Sequence, residues 1–298
     1  MKGLPIESMP RVLIVGCGYL GMRIAQPYLA RDTNVFALTR NSSTAVSLVE
    51  NGVQPIVHNW DEVQDWPAIP ETDFLFVCVS HAPVDGIEPT ETHVRGLKNL
   101  WRQLVSPPKR LVYLSTTGVY AHCDDGRWID ESSPVEPNRP GSVAAMAAER
   151  WLAQTLPEER LTILRAAGIY GPGRIPRVDS LRKNEPLHAD PNSYLNLIHV
   201  EDLAAIAIQA SQHPEAFGLF AVSDGHPVLR REYYQFIAET LGTSQPLFLP
   251  IDSDKDLTVR RRGEGSKRIK NQRLHDVLKY GFQFPDYQAG LRPLLVKT

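Results

Sequence analysis

Val12-Leu13-Ile14-Val15-Gly16-Cys17-Gly18-Tyr19-Leu20-Gly21 decides the fold. Four consecutive aliphatic residues without a polar interruption predict a strand buried on both faces, as in a parallel sheet. The glycines that follow match G-x-G-x-x-G, a weak signal alone that gains meaning between a strand and a helix. Residues 19–31 supply the helix, with Leu20, Ile24, Ala25 and Leu29 on one side and Pro27 predicting a kink or an early end. In that setting the first glycine allows a tight turn and the second lets a pyrophosphate approach the backbone. The third lets helix and strand pack closely, while the helix N-terminus offers its free N–H groups to the anion. Gly16, Gly18 and Gly21, with Tyr19 and Leu20 between them, are the expected dinucleotide-binding residues.

Working outward, further apolar runs predict strands at Val35–Leu38, Val53–Val57, Phe74–Val79, Leu111–Leu114 and Leu161–Leu164. Helical spacing appears at 91–104, through Val94, Leu97, Leu100, Trp101 and Leu104, and in the alanine-rich stretch 142–156. Strands alternating with helices imply βαβ units: an α/β, Rossmann-type doubly wound parallel sheet. Beyond 167 the pattern loosens. A strand and helix are expected at 196–211, a strand at 218–222, and helices at about 230–241 and 268–279. The expected organisation is a Rossmann domain over 1–167, completed by about 196–223. A discontinuous substrate lobe, 168–195 and 224–298, covers the strand ends.

Arg40 closes the second strand, about where NAD-selective proteins place an acidic residue on the ribose hydroxyls. A guanidinium there offers a charged fork to a 2′-phosphate, so NADP is favoured over NAD. Val79-Ser80-His81-Ala82 follows the fourth strand beside the expected nicotinamide position. Ser80 is therefore counted with the cofactor, and His81 is a candidate proton-transfer group because imidazole titrates near neutrality. Cys17 reads as a small packing residue.

With 32 basic and 34 acidic residues, the chain lacks the basic excess of a nucleic-acid-binding protein. The late clusters Arg260-Arg261-Arg262 and Lys267-Arg268-Ile269-Lys270 read as solvated surface, while Arg174, Arg177, Arg182 and Lys183 read equally as holders of an anionic substrate or as ordinary exposed cations. The three cysteines, Cys17, Cys78 and Cys123, are odd in number and widely spaced, which favours reduced thiols in the cytoplasm. His122 and Cys123 beside Asp124 and Asp125 lack a second ligand pair, so no metal is expected. No apolar run approaches membrane-spanning length, and no signal peptide is expected.

Several motifs then fall in order: Leu114-Ser115-Thr116-Thr117-Gly118-Val119-Tyr120, Arg165-Ala166-Ala167-Gly168-Ile169-Tyr170-Gly171-Pro172-Gly173, Asn196-Leu197-Ile198-His199-Val200-Glu201-Asp202-Leu203, and Lys267-Arg268-Ile269 with Asn271. Together they resemble the extended short-chain dehydrogenase/reductase superfamily, in its NAD-dependent epimerase/dehydratase group. The resemblance implies a bound nicotinamide dinucleotide, a small-molecule substrate and frequently a homodimer through two helices, here about 91–105 and 142–156. It also puts Thr116 in the place of the catalytic Ser/Thr. One feature of the group is missing. Counting back from Glu149 puts Gly141 where its tyrosine belongs and Ala145 where its lysine belongs, and none of the ten tyrosines is followed four positions later by lysine. Leu195-Asn196 likewise replaces the Arg-Asp of nucleotide-sugar epimerases, which weakens a sugar-nucleotide substrate. Two readings follow: an oxidoreductase or epimerase/dehydratase-like enzyme with non-standard acid/base groups, Thr116 and His81, or a non-catalytic NADP(H)-binding sensor or scaffold. Tyr120 and His199 are expected to be structural.

Overall fold

The computed structural model describes residues 9–82, 86–120, 125–250 and 265–296. His122, Cys123 and Asp124 and the Arg260–Arg262 cluster lie outside them.

The first strand, β1 (Val12–Val15), is wholly buried. Its side chains alternate, Val12 and Ile14 toward one core and Leu13 and Val15 toward the other. That is the period-two pattern of a strand covered on both faces. Around it stand β2 (Val35–Thr39), β3 (Gln54–Val57), β4 (Phe74–Val77), β5 (Arg110–Thr116), β7 (Leu161–Ala166) and β12 (Gly218–Val222). Their order is β12-β7-β5-β4-β1-β2-β3, and every pairing is parallel. The chain runs outward from β1 to β3 and returns to β4, so the direction of winding reverses between β1 and β4. Ligands of such sheets lie beyond the strand ends at that point.

Helices α1 (Gly21–Leu29) and α6 (Val200–Gln212) cover one face. The other is covered by α3 (Pro89–Gln103) and α4 (Pro140–Thr155), which lie side by side. Helix α1 is shorter than 19–31, beginning at Gly21 and stopping two residues after Pro27, whose missing N–H cannot continue the ladder. One helix, α2 (Ser42–Glu50), escapes the pattern reading altogether. Strand β4 ends at Val77, before Cys78 and Val79.

The smaller lobe is built from short pairs. β8 (Gly168–Tyr170) runs parallel to β11 (Leu197–His199), and β9 (Leu187–His188) to β14 (Phe248–Leu249). β10 (Tyr194–Leu195) is antiparallel to β13 (Val228–Leu229). Over 268–279 the expected helix is split: Arg268–Ile269 is a strand, β15, captured by β6 (Trp128–Ile129), and only Gln272–Leu278 is helical (α8). An aromatic core of Tyr170, Tyr233, Tyr234 and Tyr287 joins α7 (Arg230–Leu241) to α9 (Tyr287–Leu295). Among the described residues no helix is long and apolar enough to cross a membrane.

Candidate active site at the switch point

The three glycines of the first loop meet three different constraints. Gly16 has φ of +85°, and a Cβ there would stand 3.0 Å from the backbone of Cys78 and Val79. Gly21 is closed in by packing, since a Cβ would lie 2.7 Å from the Gly16 carbonyl oxygen and 3.1 Å from Ile14 Cγ2. Around Gly18 there is nothing within 4 Å. Neither conformation nor packing within the chain requires glycine there, whereas a close-approaching ligand does. Leu20, at the start of α1, provides no side-chain cap; the Met22 N–H donates to the Gly18 carbonyl at 3.0 Å, and the neighbouring N–H groups of Gly21 and Arg23 face an anion site. This cradle fits a dinucleotide pyrophosphate.

Tyr19 is held by α1 and the lobe. Arg23 lies 4.2 Å from its ring centroid, donates to the Tyr19 carbonyl at 2.6 Å and pairs with Glu201 at 2.6 Å. Cys17 is buried with its thiol 3.5 Å from Met22 Sδ, and burial pushes its pKa up to about 12, as a packing residue requires. Arg40 stands exposed at the end of β2, and its side chain has no ion pair or hydrogen bond among the described residues. Its charge is felt by Asp61, whose carboxyl burial raises and Arg95 and Arg40 pull back down. Ser80 is exposed beyond β4.

Two loops carry the candidate chemistry, and the start of α4 touches both. Thr116, at the end of β5, accepts a hydrogen bond from Gly118 N at 2.9 Å, which leaves its O–H to donate elsewhere. Over the same glycine lies Arg139: a Cβ on Gly118 would be 2.6 Å from Arg139 Nη2 and 3.1 Å from Thr116 Oγ1. Two residues on, Gly141 abuts His81, with a Cβ there 3.4 Å from His81 Cβ and 3.7 Å from its Cγ and Cδ2. His81 Nδ1 lies 3.4 Å from Thr92 Oγ1, whose own proton goes to the Pro89 carbonyl at 3.0 Å. Nδ1 is thereby assigned as the N–H, and Nε2 keeps a lone pair. Burial lowers the His81 pKa, so the ring is a neutral base at pH 7.

The missing lysine position is equally informative. Ala145 is buried with Val119, Tyr120 and Ile269 in an apolar cluster. Lys267, from the lobe, instead donates to the carbonyls of Thr117 at 2.8 Å and Tyr120 at 2.6 Å, fixing the loop after Thr116. Asn196 holds the Lys267 segment in turn, donating to the Lys267 carbonyl at 2.8 Å and accepting from Ile269 N at 2.7 Å. Beneath the site, Arg165 pairs with Glu149 at 2.6 Å and donates to the Tyr120 hydroxyl at 2.7 Å, and Ser115 also donates to Glu149. His199 caps α6 by accepting from Glu201 N at 3.3 Å and stacks on Phe284. Tyr120 and His199 are thus structural, as their segments imply. Lys267 and Arg268 are thus not the solvated surface expected of their cluster, because backbone carbonyls take up their charged groups, and Arg139, two positions before Gly141, is a residue that the sequence reading did not single out.

A parallel sheet with its glycine loop at the switch point and a hydroxyl-bearing loop after β5 defines an NAD(P)-binding fold of the extended short-chain dehydrogenase/reductase superfamily. Residues 12–220 match the NAD dependent epimerase/dehydratase family, and the chain belongs to it. It is 26% identical to Protein YeeZ of Escherichia coli K12 over 289 residues, covering 93% of this chain and 97% of that one. A functionally unknown conserved protein from Silicibacter pomeroyi has a similar structure, with a TM-score of 0.79, 26% identity and coverage of 97% and 99%. The fold is also shared with human epimerase family protein SDR39U1, solved with NADPH, at a TM-score of 0.75 and 20% identity over 96% and 99% of the chains.

Proposed function

We propose that the protein is an NADP(H)-dependent oxidoreductase or epimerase/dehydratase-like enzyme for a small carbonyl or alcohol substrate, with Thr116 and His81 replacing the tyrosine–lysine pair. The observation that carries this reading is the open space at Gly18 between two glycines that packing and conformation require. A nicotinamide held there would supply or accept a hydride. The residues of the chain do the rest. Gly16–Gly21 and the start of α1 hold the pyrophosphate, and Arg40 selects the 2′-phosphate. Thr116 Oγ1 orients the reacting oxygen by hydrogen bonding. His81 Nε2 holds or gives up the proton, and its Thr92 contact fixes the ring. The cytoplasm suits the reduced thiols, and the paired helices α3 and α4 offer a dimer face.

A second reading, a sensor or scaffold that binds NADP(H) without turnover, draws support from Ala145, which is buried in an apolar cluster at the position where the resemblance puts the lysine. Calorimetric titration with NADPH and NADH at moderate salt tests the shared premise. Tight NADPH and weak NADH binding is expected, after which turnover of carbonyl and alcohol substrates separates enzyme from sensor. Folded protein, free of retained dinucleotide, that binds neither would overturn both readings.

A further inference from the structure

The turn Gly171-Pro172-Gly173-Arg174 follows β8 and bears on the glycine loop. It is closed by two reciprocal bonds, Gly171 N to the Arg174 carbonyl at 3.0 Å and Arg174 N to the Gly171 carbonyl at 2.9 Å. Gly171 has φ of +152°, and a Cβ there would stand 2.8 Å from the Tyr19 hydroxyl and 2.7 Å from Val200 Cγ1. The tip of Tyr19 therefore rests directly on this turn, which fixes the turn relative to the loop. From it Arg174 extends to 5.6 Å from the Tyr19 ring centroid.

The two guanidinium groups beside Tyr19 differ in their charge balance. Arg23 is committed to Glu201 and to the Tyr19 carbonyl. Arg174 is exposed, and its side chain has no ion pair or hydrogen bond among the described residues. A pyrophosphate brings two negative charges, whereas a helix N-terminus amounts to roughly half a positive charge. A cation at the edge of the cradle would balance part of the remaining charge, and the turn carries one beside Tyr19. We propose that Arg174 is a pyrophosphate ligand delivered by the substrate lobe, so that the lobe takes part in holding the dinucleotide. This rests on the reading of the glycine loop as a dinucleotide site.

The test is calorimetry of the full chain and its Arg174→Gln and Arg174→Lys variants, with NADPH, ADP-ribose and adenosine 2′-monophosphate as probes. Arg177→Gln, the same charge change three residues on, is the control. Arg174→Gln should weaken NADPH and ADP-ribose about tenfold, as loss of one charge-assisted contact does. Its binding should also depend less on salt. Adenosine 2′-monophosphate should bind unchanged, and lysine should restore part of the loss. Equal affinities in wild type and Arg174→Gln would overturn the proposal and leave the dinucleotide reading standing. Equal weakening by Arg177→Gln would also overturn it, as would an effect confined to adenosine 2′-monophosphate. If wild type binds none of the probes, the dinucleotide reading falls and the proposal with it.

Discussion

The His81 ring lies against Gly141, so a histidine from the loop after β4 leans on the first turn of α4. No side chain from α4 separates that ring from the helix start, and Thr92 holds it from behind. The loop after β4 and the start of α4 thus meet through a titratable ring beside the switch point.

If His81 and Thr116 carry proton transfer and oxygen binding, His81→Ala and Thr116→Val should each lower kcat by roughly 10² to 10⁴, the usual worth of general acid–base catalysis. Affinity for NADPH should change less than about twofold, since neither residue belongs to the glycine cradle. The pH profile gives the sign. Burial lowers the His81 pKa, so a neutral-base mechanism should rise with pH through a midpoint below 6.5 and be flat above it. Thr116→Ser should keep most of the rate. Unchanged rates in both disabling variants would remove these residues from the mechanism.

Gly18 and Gly21 should separate binding from folding. Alanine at Gly21 would push its Cβ to 2.7 Å from a backbone oxygen and 3.1 Å from Ile14, where a buried strand cannot yield. A loss of about 1–3 kcal/mol in urea unfolding is expected, as in other overpacked interiors. Alanine at Gly18 meets nothing within 4 Å and should leave the urea midpoint unchanged, yet abolish calorimetric NADPH binding. A Gly18→Ala protein that binds as wild type does would show that the pyrophosphate does not approach there.

That first loop was legible because its demands are local: an unbroken aliphatic strand, glycines at fixed offsets, and a helix with one apolar side. Helix α2 was not. It buries only Ala45 and Leu48, exposes Val46 and Val49, and is composed largely of Ser, Thr and Val, which are poor helix formers. Asn41, which caps it through its side chain, was a signal within reach. The two-residue pairs of the lobe carry no periodicity, and Arg268–Ile269 becomes a strand because β6, far away in sequence, offers an edge. The roles of Arg139 and Lys267 depend on which backbone they approach, and nothing in their sequence neighbours encodes that. The absence of Tyr-x-x-x-Lys could be read directly, whereas the leaning of His81 on Gly141 needed the sheet order.

Asp224 should make stability fall with rising pH. The carboxyl is 3% exposed, one oxygen accepts from His226 N at 2.9 Å, and the other has no partner among the described residues. Burial, the dominant cause, raises its pKa from 3.8 to about 7. A group whose folded pKa is raised favours the folded state fully below pH 3.8. That contribution is lost as pH climbs to about 7. The full swing is on the order of 4 kcal/mol at about 1.4 kcal/mol per unit. Asp224→Asn keeps the acceptor for His226 and cannot ionise, so its urea midpoint should exceed that of wild type at pH 8 and approach it at pH 4. A difference that does not grow with pH would contradict this assignment.

Arg40 tests cofactor choice most directly, because its side chain is exposed and unpaired and the fold does not depend on it. A guanidinium gripping a 2′-phosphate is worth about 1.5–3 kcal/mol as a charge-assisted contact. Arg40→Leu should therefore weaken NADPH roughly tenfold to a hundredfold and leave NADH within about twofold. Arg40→Asp should go further and reverse the preference, since a carboxylate repels the phosphate and accepts from the ribose hydroxyls instead. Asp61 bears on the outcome. Its carboxyl feels Arg40, and with the arginine gone its negative charge would oppose a 2′-phosphate still more strongly. Asp61→Asn in the Arg40→Leu background should recover part of the NADPH affinity, more at low salt than at high. If Arg40→Leu leaves NADPH and NADH affinities both unchanged, selection lies elsewhere in the pocket.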